Sequence, residues 1–338
     1  MIHALVADDS SFMQKALTHI LESDGDIKVI DTAYDGKEAL RKVKELRPDV
    51  VLLDVEMPVM DGLSTLTHIM AEVPTPVVVI SGIRDPTLAV KALFHGAIDF
   101  IPKTSGEISY DIEELKHEII VKVRTAAGVN VQKMDLIRPQ GSYVKLPKKF
   151  IPKEAVIIGA STGGPKAVAA VLSSFPPNIS ASVIVVQHMS PEFIPSFVDL
   201  LKGKCHLDIS VAKQGNIMHS GKVFVSPTEC NISIIQENSV KRIKIHKTAR
   251  FSMSSAIDFT MRSAAKIYGD NVIGVLLTGM GTDGALGLKA IKDAGGRTIA
   301  QDESTCVVFG MPKAAISLGC VDEVLPLPQI AGAIMRMI

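Results

Sequence analysis

Tryptophan is absent from this 338-residue chain, and aromatic residues make up only 4% of it. The core must therefore be aliphatic, and the abundance of Val, Ile, Leu and Ala suits parallel sheets covered by helices. Net charge is also lacking, with 36 Lys+Arg against 36 Asp+Glu. That balance argues against a general nucleic-acid binder, which needs a basic surface, and against an acidic disordered protein. No long apolar run occurs: Ala181–Val186 and Val272–Leu277 are strand-sized, far short of the roughly 18 residues of a membrane span. The first residues, MIHALVADDS, lack the shape of a signal peptide. The four cysteines, Cys205, Cys230, Cys306 and Cys320, show no CxxC spacing. They read as reduced, mostly buried thiols of a cytoplasmic protein. What the chain does have is 47% hydrophobic residues, enough for real cores, and a length that suggests two domains.

In the N-terminal half, short β-branched runs (Ala4–Ala7, Ile27–Ala33, Val50–Leu53, Val77–Ile80, Phe100–Ile101) alternate with stretches of helical period such as Met13, Ala16, Leu17, Ile20 and Leu21. The spacing predicts five βα units, hence a doubly wound, flavodoxin-like parallel sheet, whose site belongs at the carboxyl ends of the strands. Asp8 and Asp9 close the first strand, Asp54 the third and Ser81 the fourth, and Lys103 follows the fifth. Three carboxylates on one edge repel each other and call for a cation; a hard divalent ion fits, with Mg²⁺ the usual choice. An Asp between Mg²⁺ and a Lys can attack a phosphoryl group, because both cations neutralise its oxygens. Taken singly, Asp9 or Ser10 would pass as a helix cap and Lys103 as a solvated surface residue; the five in strand order make a site.

The segments VADDS, LLDVEMPVMDG, ISG and IDFIPK resemble the receiver domain of two-component response regulators over roughly residues 1–125. The resemblance implies phosphorylation of Asp54 by a histidine kinase, and Mg²⁺ held by Asp8, Asp9, Asp54 and the backbone carbonyl of Glu56. It also implies switch roles for Ser81 and Lys103 and, at the aromatic switch position, Phe100. Tyr is common there; Phe lacks the hydroxyl, so any switching must work through packing.

Residues 126–153 lose periodicity and gather Pro139, Pro147, Pro152 and a run of Lys and Arg, which reads as a linker. From residue 154 to 338 a second α/β pattern predicts a Rossmann-like domain with a parallel sheet. Its first strand runs into Gly159-Ala160-Ser161-Thr162-Gly163-Gly164-Pro165. As a dinucleotide fingerprint this is weak, because Ser161 replaces the middle Gly and the next strand ends in His188 rather than an acid. As Gly-x-Ser-x-Gly it is a turn that lifts a serine into solvent. With His188 and Asp283 at equivalent strand ends, it supplies a nucleophile, a base and an orienting acid. The order Ser…His…Asp differs from the α/β-hydrolase order. Each residue alone has an ordinary alternative: Ser161 or Asp283 as a helix cap, His188 as a satisfied polar residue in competition with His206, His219 and His246. The helix pattern through Ile257, Met261, Ala264 and Ala265 shows no special chemistry.

IGASTGGPKAV, VVQHM, LLTGMGTDGALGL and AQDESTCVVFGMPKAAI resemble the methylesterase domain of the CheB family of chemotaxis response regulators. The resemblance implies a cytoplasmic enzyme that hydrolyses γ-glutamyl methyl esters on chemoreceptor helices and, in some members, deamidates receptor glutamines. The receiver is expected to inhibit it until Asp54 is phosphorylated. Ser161, His188 and Asp283 carry over as the triad, the Met280 N–H as an oxyanion donor and Thr162 as a supporting residue. The chain departs from many relatives over KTARFSMSS, residues 247–255, where an Arg-Pro pair is common; the substrate groove is open there. The rival reading is a phosphorylation-controlled binding module without catalysis. A DNA-binding variant of it is disfavoured by the absence of a basic helix-turn-helix pattern after residue 153.

Overall fold

The structure is a computed structural model that describes residues 1–82, 86–103, 115–131, 152–228, 230–247 and 255–338. Residues 132–151 of the expected linker 126–153, and 248–254 of the divergent stretch 247–255, lie outside the described residues. The chain divides into two compact units, residues 1–135 and 136–338.

The first unit alternates β1 (Ile2–Ala7), α1 (Ser11–Glu22), β2 (Ile27–Ala33), α2 (Gly36–Leu46), β3 (Val50–Asp54), α3 (Gly62–Glu72), β4 (Val77–Gly82), α4 (Pro86–His95), β5 (Asp99–Lys103) and α5 (Lys116–Ala127). Its strands form one parallel sheet in the order β2-β1-β3-β4-β5. Every residue of β3 is buried, the aliphatic Val50–Leu53 as well as the terminal Asp54, as suits a central strand covered on both faces. Short polar side chains start the helices: Ser10 caps α1, Asp35 caps α2 and Asp61 caps α3, each accepting an amide of the first turn. The strand order reverses between β1 and β3, the place where an α/β sheet opens a crevice for a ligand. Asp8 follows β1 and Asp54 ends β3.

The second unit carries β6 (Ala155–Ala160), α6 (Gly164–Ser173), β7 (Ser182–Gln187), α7 (Ile194–Lys204), β8 (Asp208–Val211), β9 (Lys222–Val225), β10 (Cys230–Glu237), β11 (Val240–Lys247), α8 (Ala256–Tyr268), β12 (Val272–Leu276), α9 (Ala285–Asp293), β13 (Arg297–Gln301), α10 (Met311–Ser317), β14 (Glu323–Leu325) and α11 (Leu327–Met337). Seven parallel strands stand in the order β14-β13-β12-β6-β7-β9-β8. A separate antiparallel hairpin, β10–β11, packs through Ile232, Ile234 and Ile243 into the same core as Ile257 and Met261 of α8 and Leu276 of β12. The chain leaves β6 toward β7 and later returns to pair β12 on the other side. The switch point of this sheet is therefore between β6 and β12.

Candidate functional site

The acidic pocket of the first unit is assembled from strand ends. Asp8 is wholly buried, Asp54 is 2% exposed and Asp9 is exposed, and one carboxylate oxygen from each lies within 4.8 Å of the others. Lys103 Nζ stands 2.6 Å from Asp54 Oδ2 and 2.9 Å from Asp8 Oδ2. Burial pushes the Asp54 carboxyl up to about 6; Lys103 opposes this, and the Asp8 charge adds to it. Burial alone would lower Lys103, but Asp54 and Asp8 outweigh it and hold the ammonium above its usual range. Two buried carboxylates sharing one lysine leave negative charge uncompensated, and an all-oxygen donor set beside an exposed third carboxylate suits a hard divalent cation. The backbone N–H of Glu56 donates to Asp54 Oδ1 at 3.4 Å, so that residue lies at the pocket. Ser81 is buried on β4, paired in register with Pro102, one step before Lys103. Phe100 is buried; Lys122 Nζ lies 5.3 Å from its ring centroid and donates to its carbonyl at 2.6 Å. That contact is set by packing and charge and needs no ring hydroxyl.

In the second unit Ser161 follows β6, His188 follows the neighbouring β7, and the loop after β12 carries Asp283. Backbone bonds tie the strand ends: His188 N–H donates to Ala160 O at 2.9 Å and Ser161 N–H to Thr278 O at 3.1 Å. His188 Nε2 bonds Asp283 Oδ2 at 2.8 Å. With Nε2 engaged by the acid, Nδ1 is the ring nitrogen left without that partner. Ser161 Oγ has no hydrogen-bond partner among the described residues, and the side chain is half-buried. It does not cap α6: the cap position is Gly163, at φ 74°. That left-handed turn favours glycine, and a Cβ there would lie 2.5 Å from Val307 Cβ. Gly279 packs beneath the serine, where a Cβ would stand 2.7 Å from Ser161 Cβ. Thr278 lashes the floor: its N–H donates to Gln301 Oε1 at 2.8 Å and its Oγ1 to Thr162 O at 3.0 Å. Met280 is 42% exposed on the same loop and Thr162 is half-buried.

Two features escape the sequence reading. Asp283 does not cap the helix that follows it. Its carboxylate accepts the N–H of Ile257 at 3.0 Å and of Asp258 at 2.9 Å, capping α8, the helix whose stripe showed no special chemistry. The sequence offers a cap of the following helix only as the ordinary alternative for Asp283; the actual capped amides are 25 and 26 residues away and leave no local signature. Gln187 is the second: its buried Nε2 donates to Ser161 O at 2.9 Å and to His188 O at 3.0 Å, tying the chain after β6 to the chain after β7. Its signal was a polar residue directly after the apolar run Val183–Val186 of a buried strand. Of the rival histidines, His246 bonds Ser233 at 2.7 Å in the hairpin, the role of a satisfied polar residue.

Residues 156–334 match the family described as CheB methylesterase, and residues 4–119 match the response regulator receiver domain. The chain belongs to the CheB methylesterase family. A Pyrococcus abyssi protein named protein-glutamate methylesterase/protein-glutamine glutaminase is 42% identical over all of this chain and 94% of its own length. A Thermotoga maritima protein of the same name is 37% identical over all of this chain and 99% of its own. The crystal structure of the Thermotoga maritima CheB methylesterase catalytic domain superposes with a TM-score of 0.53 at 36% identity, covering 55% of this chain and 98% of that one. The CheB family fold thus accounts for the seven-stranded sheet, and the receiver family for the five-stranded one.

Proposed function

We propose that this chain is a phosphorylation-gated serine hydrolase that removes methyl groups from γ-glutamyl methyl esters of chemoreceptors and deamidates receptor glutamines. The observation that carries it is the 2.8 Å His188–Asp283 pair at a sheet switch point, one strand from a serine on a Gly-rich turn. His188 Nδ1 takes the Ser161 proton as Oγ attacks the side-chain carbonyl; Asp283 orients the ring and stabilises the imidazolium. Backbone amides near Thr162 and Met280 hold the oxyanion, each worth about 10²–10³ in rate. Methanol or ammonia leaves with the proton from His188, and water then frees the glutamate. Amides are the poorer acyl donors, so the ester is the faster substrate.

Asp54 is the phosphoacceptor. Asp8, Asp9, Asp54 and the Glu56 carbonyl are the residues that would hold Mg²⁺, which when bound neutralises phosphoryl oxygens. Lys103 adds a second positive charge, and Ser81 and Phe100 relay the change. A histidine kinase supplies the phosphoryl group, the receiver restrains the hydrolase until then, and residues 126–153 link the two domains. Among the described residues no helix is long and apolar enough to cross a membrane, and the chain's balanced charge offers nothing to nucleic acid. A cytoplasmic enzyme acting on receptor helices is the reading consistent with both.

The test is methanol release from methylated chemoreceptor membranes, with and without a small phosphoryl donor and Mg²⁺. The donor is expected to raise the rate of the wild-type protein at least tenfold, to leave Asp54→Asn at its basal rate, and to produce nothing from Ser161→Ala. Equal stimulation of Asp54→Asn would overturn the gating, and release by Ser161→Ala would overturn the hydrolase assignment.

A further inference from the structure

Asp258 sits in the first turn of α8, is buried, and has no part in the steps above. Its N–H is one of the two amides that hold the Asp283 carboxylate. Its own carboxylate reaches the other helix: Oδ1 accepts the Gly287 N–H at 2.6 Å. That amide lies in the first turn of α9, the helix into which Asp283 leads. Asp283 therefore caps the helix on which Asp258 stands, and Asp258 holds the first turn of the helix that follows Asp283. The residues immediately before these helices, Ser255 and Gly284, contribute no side-chain cap, so the exchange between Asp258 and Asp283 is what serves the two helix starts. The two helices also touch closely here: a Cβ on Gly287 would lie 2.7 Å from Met261 Cβ and 3.0 Å from Asp258 Cα. The arrangement places like charges near each other. Burial, together with the Asp283 charge, holds the Asp258 carboxyl above its ordinary range, and the Gly287 amide and Arg262 offset only part of that.

We propose that Asp258 is a positioning residue for the hydrolase: by gripping the start of α9 it fixes the loop that presents Asp283 to His188. The proposal rests on the triad assignment above. Asp283 Oδ2 is shared between His188 Nε2 and the Ile257 N–H, so it has little latitude. A slip of α9 against α8 breaks that sharing, and a displacement of about 1 Å in a catalytic group costs about 100-fold.

The experiment is a double-substitution cycle on the full-length, phosphorylated protein, read as kcat and KM for methanol release. Asp258→Ala is expected to lower kcat about 10- to 100-fold with KM within about twofold. Asp258→Asn, whose amide oxygen still accepts from Gly287, is expected to lose only about 3- to 10-fold. In an Asp283→Asn background both losses should shrink to about twofold or less, because the group being positioned no longer works. A purely structural defect would multiply in either background. If Asp258→Ala does not fold, the Asn arm decides by the same comparison. The proposal is overturned if Asp258→Ala keeps a wild-type kcat, or if the loss persists undiminished when Asp283 is Asn. Ser161→Ala, run alongside, separates the two claims: activity there sinks the triad, whereas an inactive Ser161→Ala with a normal Asp258→Ala sinks only the positioning role.

Discussion

Asp283 does two things with one carboxylate, and each has its own readout. It bonds His188 Nε2, and it terminates α8 through two amides. Replacing it with Asn keeps an acceptor but offers His188 no anion, so kcat is expected to fall about 10³–10⁴-fold. Stability should fall by about 1–2 kcal/mol as a charge-assisted cap becomes a neutral one; steady-state kinetics and a thermal melt of the same protein check both. The candidate site residues stand out in the sequence because each closely follows the apolar stretch of a strand: Ser161 after AVIIGA, His188 after the VIVV of β7, Asp8 after the ALVA of β1. Asp258 was not legible, because an Asp in the first turn of a helix looks like any residue favoured there by the helix dipole. Only the fold brings Gly287 to it.

At the scale of elements, the central strands declared themselves and the peripheral ones did not. β6, β7 and β12 are fully buried, six, six and five residues long, and are dominated by aliphatic residues. β8 and β14 are edge strands of four and three residues, partly exposed and mixed in composition, so no period emerges. The β10–β11 hairpin was hidden for a different reason. β11, VKRIKIHK, carries four Lys or Arg residues and a His on a strand with only Ile243 buried, and its turn, Asn238-Ser239, lacks the glycine that usually marks a two-residue hairpin loop. Both turn residues have positive φ, 47° and 65°. Ser239→Gly therefore relieves a left-handed serine, and stabilisation of about 0.5–1 kcal/mol is expected. A melt should rise by about 1–4 °C; a lower midpoint would show that Ser239 earns its place through another contact.

The molecule as a whole repeats one physical solution twice. Two parallel sheets each reverse their strand order at the centre, and each collects its reactive side chains in the resulting crevice, Asp8 and Asp54 in one unit, Ser161 and Asp283 in the other. In the proposed mechanism a phosphoryl group arriving at the first is read out as hydrolysis at the second. If the receiver restrains the hydrolase, deleting residues 1–127 should raise the basal rate of methanol release; a fall would mean that the receiver activates instead. Underneath both lies the claim that Ser161 is the nucleophile. The most direct measurement is an acid-quenched single turnover with a methylated receptor peptide, followed by peptide mapping for the covalent ester. The expected result is the acyl adduct on the peptide containing Ser161, absent from His188→Ala. An adduct elsewhere in the chain, or full turnover by Ser161→Ala, would contradict the account.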